Sequence, residues 1–206
     1  MRQIDWTCEA FSEKLASSAP SPGGGGAAAL CGSLACALGR MVSALSESKK
    51  SCAEHKEEIA EISARLEELR LRLLELVDED EAGFSPLSAA WGMDKSDPRR
   101  ESAIEAALVT ACEAPIQMME ALFEGAKLLN RLSPICSPIM ISDAGAGAAI
   151  CAGAIRAAAL NVYVNAGLMK DREKAKELVR QAEERLFAAN LADETFRFVQ
   201  NRLKKD

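Results

Sequence analysis

The sequence predicts an all-α protein, a multi-helix bundle of about five to six helices in which long helices run antiparallel. Ala, Leu, Glu and Lys are plentiful and favour helices, whereas aromatic residues make up 4% of the 206 residues. One segment carries apolar residues in alternating steps of three and four, and no segment alternates convincingly as a strand would. The length fits one domain, so a single helical domain over residues 1–206 is expected.

Three helices are predicted in the first half of the chain. Residues 5–17 form a short amphipathic helix, and the Pro/Gly segment 20–26 ends it. A helix of small residues then runs from about Gly26 to Leu45, with a spacing that lets another helix approach closely. The amphipathic helix that follows has a narrow apolar seam, formed by Ile59, Ile62, Leu66, Leu69, Leu73 and Leu76.

Three more helices are predicted in the second half. A long helix spans about 99–132, because Asp97-Pro98 supplies a capping side chain followed by proline. A second small-residue helix spans 143–169, with Ser142-Asp143 as its N-cap. Asp171 begins a last amphipathic helix, whose apolar side comprises Ala175, Leu178, Ala182, Ala189, Phe196, Val199 and Leu203.

Charge and cysteine usage exclude several functions. The net charge is -6 and no long basic tract is present, so nucleic acid is not an expected partner. The seven cysteines form no C-x-x-C pair. Their odd number, with an N-terminus that does not resemble a signal peptide, favours reduced thiols and a cytoplasmic location. His55 is the single histidine, so no metal site is expected.

Segments 23–45 and 144–169 are nearly uncharged, and their length alone would allow each to span a membrane. Each contains an arginine, Arg40 and Arg156 respectively, and each consists mainly of small residues rather than Leu, Ile and Phe. We interpret both as buried helices and expect no membrane association. A membrane-embedded bundle is the weaker alternative.

The glycine run that opens the first small-residue helix does not fit the common phosphate loops. Gly23, Gly25 and Ala28 match G-x-G-x-x-A, but no strand precedes them, and the Lys-Ser/Thr ending of a Walker loop is missing. Free backbone N–H groups at a helix N-terminus can still bind an anion. Close packing of helix ends around Gly23, Gly24, Gly25 and Gly26 explains the run equally well.

Several polar positions admit both a structural and a functional interpretation. Ser142-Asp143 either caps the helix or supplies a carboxylate that can transfer protons at the helix N-terminus. The acidic run 78–81 is predicted to end the amphipathic helix that carries the seam. Carboxylates at a helix C-terminus oppose the helix dipole, and this small cost weakly favours a function for one of them. Lys49 is a surface lysine or a partner for an anion. Asn161 and Asn165, four residues apart, bridge helices or bind a polar ligand.

These motifs, in this order, resemble the formiminotetrahydrofolate cyclodeaminase / methenyltetrahydrofolate cyclohydrolase family. The stretch "FSEKLASSAPSPGGGGAAALCGSLACALGRMV" resembles the family's opening signature, in which Pro-Thr/Ser-Pro precedes three or four glycines. "SESKK", "LVDEDEAGF", "SDAGAGAA" and "ALNVYVNAGL" are similar to its later motifs, and the second of these places the family's acid at Asp80. The resemblance covers nearly the whole chain.

The resemblance implies an all-helical homodimer with a folate site in a cleft associated with the dimer. It implies a formiminotetrahydrofolate cyclodeaminase, which converts 5-formimino- to 5,10-methenyltetrahydrofolate and releases ammonia. The alternative is a methenyltetrahydrofolate cyclohydrolase, which gives the 10-formyl form. The expected ligand is a tetrahydrofolate derivative, with or without further glutamates, and no other cofactor is expected.

The resemblance and the motifs together give candidate site residues. The proton carrier is expected at Asp143 or Asp80, with Lys49 as an electrostatic partner, and the N-termini of the two small-residue helices are expected to face one pocket. Without the resemblance, the apolar seam and the acidic surface favour a non-catalytic helical interaction module. Substrate-binding residues are expected at Ser21, Gly23, Gly24, Gly25, Gly26, Ser142, Asn161 and Asn165.

Overall fold

The computed structural model describes residues 2–204 and confirms the all-α prediction. Within that range there is no strand, and short 3-10 segments occur at Gln3–Asp5, Lys50–His55 and Pro138–Met140. The helices are α1 (Cys8–Leu15), α2 (Gly24–Ser46), α3 (Lys56–Trp91), α4 (Arg100–Ile135), α5 (Ile141–Leu168) and α6 (Arg172–Lys204).

Helices α2 to α5 form a four-helix bundle, and α6 packs along its side. α2 and α4 each contact both α3 and α5, and α6 contacts α4 and α5. The apolar seam predicted for α3 is buried at all six positions, with exposed fractions of at most 5%. Because these six large side chains are all buried, the seam fixes which face of α3 meets the bundle.

Glycines in α2 allow leucines from two neighbouring helices to approach its backbone. A Cβ atom at Gly39 would lie 2.8 Å from Cδ atoms of both Leu66 and Leu129, and one at Gly32 would lie 2.7 Å from Cδ2 of Leu122. These distances are too short for real carbon–carbon contacts, so a larger residue at either position would force the packing apart. The small residues of α2 therefore serve close helix packing, as their spacing predicts.

The two small-residue helices, α2 and α5, pack side by side and antiparallel. Ser137, just before α5, donates its backbone N–H to Oγ of Ser46 at the end of α2 (3.0 Å). At the other end, the Asn161 side chain of α5 lies beside Gly24, the first residue of α2. A 23-residue helix is about 34 Å long, so the N-termini of α2 and α5 lie at opposite ends of the bundle. The prediction that both face one pocket is wrong within a single chain.

Some helix boundaries differ from those predicted. α2 begins at Gly24, so three of the four glycines are helical. α3 continues through the acidic run and Pro86 to Trp91 instead of closing at the run. α5 begins one residue before Ser142-Asp143, so this pair lies in the first turn and is not the N-cap. The start of α6 at Asp171 is confirmed, because its Oδ1 accepts two backbone N–H groups of the first turn.

The helices leave a considerable apolar surface exposed. Segments 24–46, 100–135 and 138–168 are long and apolar enough to cross a membrane by length and composition, and 50–56% of the residues in their apolar windows are buried within the bundle. On α6, Phe196 and Leu203 of the predicted apolar side are 39% and 53% exposed.

Candidate functional site

A cavity of about 150 Å³ lies where the N-terminus of α2 meets α3, α4 and α5. It is smaller than the roughly 300–1,000 Å³ pockets that enclose whole drug-sized ligands, so it fits part of a larger molecule. The cavity combines two carboxylates, two amides and helix N-terminal backbone with an apolar wall. Its lining residues are Pro20, Ser21, Gly23, Gly24, Gly25, Asp80, Glu81, Phe84, Ala111, Asn161, Val164 and Asn165.

Asp80 is the titratable group that the cavity perturbs. Its side chain projects from α3 towards the first turn of α2 and is mostly buried. Burial raises the pKa of this carboxyl from 3.8 to about 6, and the backbone N–H of Gly26 offsets part of that rise by favouring the charged form. Asp80 can therefore both accept and donate a proton near neutral pH.

Gly25 provides the space that the Asp80 carboxylate occupies. A Cβ atom at Gly25 would lie 2.5 Å from both Cγ and Oδ2 of Asp80. At Gly24 a Cβ atom would meet the Asn161 amide at ordinary contact distances of 3.7 and 3.8 Å, and at Gly23 it would meet nothing within 4 Å. One glycine of the run is thus required for the carboxylate to reach the helix N-terminus, where backbone N–H groups lack intrahelical partners.

The four acids of residues 78–81 have separate structural roles. Glu79 pairs with the arginine two turns earlier in α3 (2.6 and 2.8 Å). Asp78 Oδ1 accepts the backbone N–H of Gln3 (2.7 Å), and Glu81 Oε2 accepts the side-chain amide of the same residue (2.9 Å). Asp80 forms no ion pair with any residue in the described range, so its carboxylate stays available to a ligand.

The two asparagines of α5 have different partners, and both line the cavity. Asn165 donates from Nδ2 to the carbonyl of Ala111 in α4 (3.1 Å) and so bridges two helices. Asn161 donates from Nδ2 to the carbonyl of Ala157 in its own helix (2.9 Å). Since each amide keeps an oxygen that these bonds do not use, both side chains can accept hydrogen bonds from a polar ligand.

An apolar wall faces these polar groups. Phe84 lines the cavity one turn after Asp80, and its ring packs edge-on against Trp91 with the centroids 6.0 Å apart. Ala111 and Val164 extend this wall from α4 and α5. An aromatic or heteroaromatic ring could lie against this surface while its edge atoms reach the carboxylates and amides.

The other predicted site residues lie elsewhere in the chain. Ser142 and Asp143 are in the first turn of α5, and Lys49 follows the end of α2, so all three belong to the end of the bundle opposite the cavity. Lys49 and Ser142 are exposed and Asp143 is partly buried. Within one chain the structure unites Asp80 with Ser21, Asn161, Asn165 and the glycine run, and it separates them from Lys49, Ser142 and Asp143.

Cysteine chemistry and metal binding find little support in the described part of the chain. Five of the seven cysteines are buried, and burial raises the pKa of Cys36 to about 12 and of Cys112 and Cys136 to about 11. Their thiols are therefore poor nucleophiles. No group of three or more His, Cys, Asp or Glu side chains in residues 2–204 is arranged to hold a metal ion.

A second, larger groove of about 560 Å³ lies between α5 and α6, lined partly by Tyr163, Leu160 and Phe187. It is open and mostly apolar.

Sequence reasoning missed Gln3, Glu81 and Phe84 as parts of the site. Glu81 and Phe84 lie within the "LVDEDEAGF" motif, which could have indicated them once the helix was known to continue through it. Gln3 had no such signal, since it is a lone amide before the first helix and far from the cavity residues in sequence.

Comparison with known proteins identifies the class to which this fold and site belong. A sequence model of the family described as formiminotransferase-cyclodeaminase matches residues 7–184. A methenyltetrahydrofolate cyclohydrolase from Methylorubrum extorquens is 35% identical over 192 residues, which cover 91% of this chain and 92% of that protein. The crystal structure of formiminotetrahydrofolate cyclodeaminase from Thermotoga maritima has the same fold, with a TM-score of 0.84 over 97% of this chain and 96% of the other, at 24% identity.

The helical bundle is thus the fold of a family of folate enzymes. The chain belongs to the formiminotransferase-cyclodeaminase family of folate one-carbon enzymes. The resemblance found in the sequence motifs is confirmed.

Proposed function

We propose that the chain is a methenyltetrahydrofolate cyclohydrolase that uses Asp80 as its proton carrier. The observation that carries this proposal is the mostly buried Asp80 carboxyl, with its pKa raised to about 6, in the cavity at the start of α2. The 35% identical relative that bears this activity supports the choice of reaction. Hydrolysis therefore takes precedence over the deamination that the motifs alone favour.

The proposed reaction adds water to the carbon that bridges N5 and N10. Asp80, as a carboxylate, accepts a proton from the attacking water while oxygen bonds to the bridge carbon. The carbon–N5 bond of the tetrahedral intermediate then breaks, N5 takes the proton from Asp80, and the carbinol O–H loses its proton to water as the formyl group forms on N10. General acid–base catalysis of this kind contributes about 10²–10⁴-fold.

The charge of the cavity suits this substrate. The methenyl bridge is an amidinium cation, and Asp80 and Glu81 are carboxylates that line the space where it would bind. The wall at Phe84 can contact the pterin, and Asn161 and Asn165 can accept hydrogen bonds from its polar edge. The cavity volume of about 150 Å³ leaves the benzoyl-glutamate portion outside.

Formiminotetrahydrofolate cyclodeaminase is the second candidate, because the same carboxyl can act as an acid. In that reaction N10 attacks the formimino carbon, and a proton from Asp80 lets ammonia leave. The two reactions need opposite protonation states of one group whose pKa is raised to about 6. If Asp80 acts as a base, kcat/KM should rise with pH through about 6, and if it acts as an acid, kcat/KM should fall above that pH.

The test is to supply each substrate and follow the ultraviolet absorbance of the methenyl form, which hydrolysis removes and deamination produces. Spontaneous methenyl hydrolysis without enzyme is subtracted. Asp80→Asn should lower kcat by about 10²–10⁴-fold. Glu79→Gln is the matched control, because it makes the same carboxylate-to-amide change at the neighbouring residue, whose partner is an arginine outside the cavity. Unchanged absorbance with both substrates would exclude both activities, and an active Asp80→Asn variant would exclude the role of Asp80.

The proposal includes the homodimer that the resemblance implies, formed through a surface that we call the α2–α5 face. An open apolar groove of about 450 Å³ runs between the two helices on this side, and the Asp80 cavity opens beside it at Gly24. Six large apolar side chains of the two helices are exposed by 39–65%. They are Leu34, Met41 and Leu45 of α2 and Leu160, Val164 and Leu168 of α5.

A two-fold axis through this face would complete the site across the dimer. The cavity lies at one end of the face, and Lys49, Ser142 and Asp143 lie at the other. A two-fold axis perpendicular to the helices pairs the two copies antiparallel and so brings opposite ends of the face together. The predicted residues that one chain keeps apart would then meet in pairs, with Asp80 from one copy and Asp143 from the other.

Mixing two inactive variants tests this arrangement. Asp80→Asn and Asp143→Asn proteins, unfolded together and refolded, should recover about a quarter of wild-type activity, since half the dimers are mixed and each has one intact site. Either variant refolded alone should stay inactive. No recovery from a mixture shown to contain mixed dimers would refute shared sites, and a monomer in light scattering would refute the dimer.

We further propose that the protein acts in the cytoplasm without a cofactor other than its folate substrate. Both reactions move protons and a one-carbon unit and need no redox equivalent. Recovery of active protein from the soluble fraction without detergent, and full activity after dialysis against a chelator, would support this. A requirement for detergent would favour the membrane-embedded alternative.

A further inference from the structure

The buried side chain of Gln3 contacts the cavity wall from behind. Gln3 lies in the 3-10 segment before α1, is 2% exposed, and is not itself among the residues that line the cavity. Its Nε2 donates to Ser21 Oγ (2.7 Å) and to Glu81 Oε2 (2.9 Å), and both of those residues do line the cavity. Its backbone N–H donates to Asp78 Oδ1 (2.7 Å), one turn before Glu81 on α3.

These bonds fix what the two wall residues can offer a ligand. Because Ser21 Oγ accepts from Gln3, its own hydrogen is left to donate elsewhere. Because Glu81 uses Oε2 for Gln3, its Oε1 is left to accept. One buried amide thus joins the loop before α2 to the acidic stretch of α3, and it leaves a donor on one side of the cavity and an acceptor on the other.

The orientation of the Gln3 amide has an unusual consequence inside the protein. Its Oε1 is buried and has no hydrogen-bond partner in the described range, although buried side-chain oxygens are normally satisfied. Turning the amide over would place this oxygen against the Glu81 carboxylate, which can only accept. In the observed orientation the amide nitrogen bonds Ser21 and Glu81, while the amide oxygen has no hydrogen-bond partner. This arrangement indicates that the Gln3 side chain does more than fill space.

We propose that Gln3 is a positioning residue that holds Ser21 and Glu81 in the cavity wall beside Asp80, so that Glu81 faces the cationic one-carbon unit while Asp80 moves the proton. The inference rests on the proposed folate function. It adds the N-terminal segment to the site and gives the two carboxylates different tasks, one fixed by a buried amide and one left free to exchange its proton.

A double-mutant cycle tests this role in the full-length enzyme. Gln3→Met preserves the length and burial of the side chain but removes its donor, and it should lower kcat/KM by about tenfold to a hundredfold through misplacement of the wall groups. Glu81→Gln should cause a loss of similar size. The double variant should lose little more than either single one, because Gln3 acts through Glu81.

Two controls separate positioning from folding. Arg2→Ala breaks an exposed ion pair with Asp5 in the same segment and should leave kcat/KM unchanged. Gln3→Glu, which keeps the shape but sets a carboxylate against Glu81, should be no better than Gln3→Met. Circular dichroism and melting curves establish that each variant is folded.

The outcomes are distinct. A folded Gln3→Met enzyme with wild-type kcat/KM, or one whose loss multiplies with that of Glu81→Gln, overturns the positioning role alone. A wild-type enzyme that neither converts nor binds a tetrahydrofolate derivative overturns the proposed function, and the inference with it.

Discussion

Replacing Asp80 by asparagine should make the protein more stable at neutral pH while abolishing its activity. The pKa of Asp80 is raised from 3.8 to about 6 by burial, so the folded state binds this proton more tightly than the unfolded chain does. Ionised Asp80 therefore lowers the free energy of unfolding, and this loss grows as pH rises from about 4 to about 6 and is complete above that. A shift from 3.8 to about 6 corresponds to about 3 kcal/mol.

The expected change in melting temperature follows from this free energy. For a chain of this size 1 kcal/mol shifts the melting temperature by roughly 2–4 °C, so Asp80→Asn should melt about 6–12 °C above wild type near pH 8. The asparagine oxygen can still face the backbone N–H of Gly26, so the substitution removes the charge with little loss of contact. Near pH 4, where Asp80 is protonated in the folded state, the difference should nearly vanish.

Melting curves of wild type, Asp80→Asn and Glu79→Gln between about pH 4 and pH 8 provide the measurement. Glu79→Gln should be slightly destabilised at neutral pH, since it loses a partly exposed ion pair worth about 0–1 kcal/mol. An Asp80→Asn protein that melts no higher than wild type near pH 8, or whose advantage persists unchanged near pH 4, would refute the assignment of a raised pKa to this carboxyl.

Two further predictions concern glycines. Gly25→Ala should displace the Asp80 carboxylate and lower kcat by at least about tenfold in the absorbance assay while the protein stays folded. Gly39→Ala should lower the free energy of unfolding in urea by about 1–3 kcal/mol because leucines of two other helices already occupy its Cβ position. A Gly39→Ala protein as stable as wild type, or full activity of the Gly25 variant, would contradict the packing described.

The helical fold could be predicted because its signals are local. The seam of α3 repeats at helical spacing, and the small residues of α2 stand where two leucines enter. Helix boundaries were harder to predict. A run of acidic residues usually ends a helix, whereas α3 continues through 78–81. Two of those acids bind a glutamine that is distant in sequence, and no local pattern indicates such a tertiary partner.

The site was predicted in part, and for a different reason. The family motifs placed Asp80, Asn161 and the glycine run together, and the structure does bring them to one cavity. The expected pairing of the two helix N-termini was wrong within one chain, because nothing in a helix's own sequence sets the direction in which its neighbour runs. The roles expected for Asp143 and Lys49 stay predictions, and the mixed-dimer experiment tests that of Asp143.

The space at Gly25 makes activity depend on a single position at which a substitution need not affect folding. Glycine and alanine codons differ by a single base, so one point mutation could add the methyl group that excludes the carboxylate while leaving the rest of the helical scaffold as it is. A descendant freed from selection for turnover could keep that change indefinitely and accumulate as an abundant, well-folded protein. When relatives are classified as active enzymes or inactive homologues, the codon for Gly25 is therefore the first to inspect.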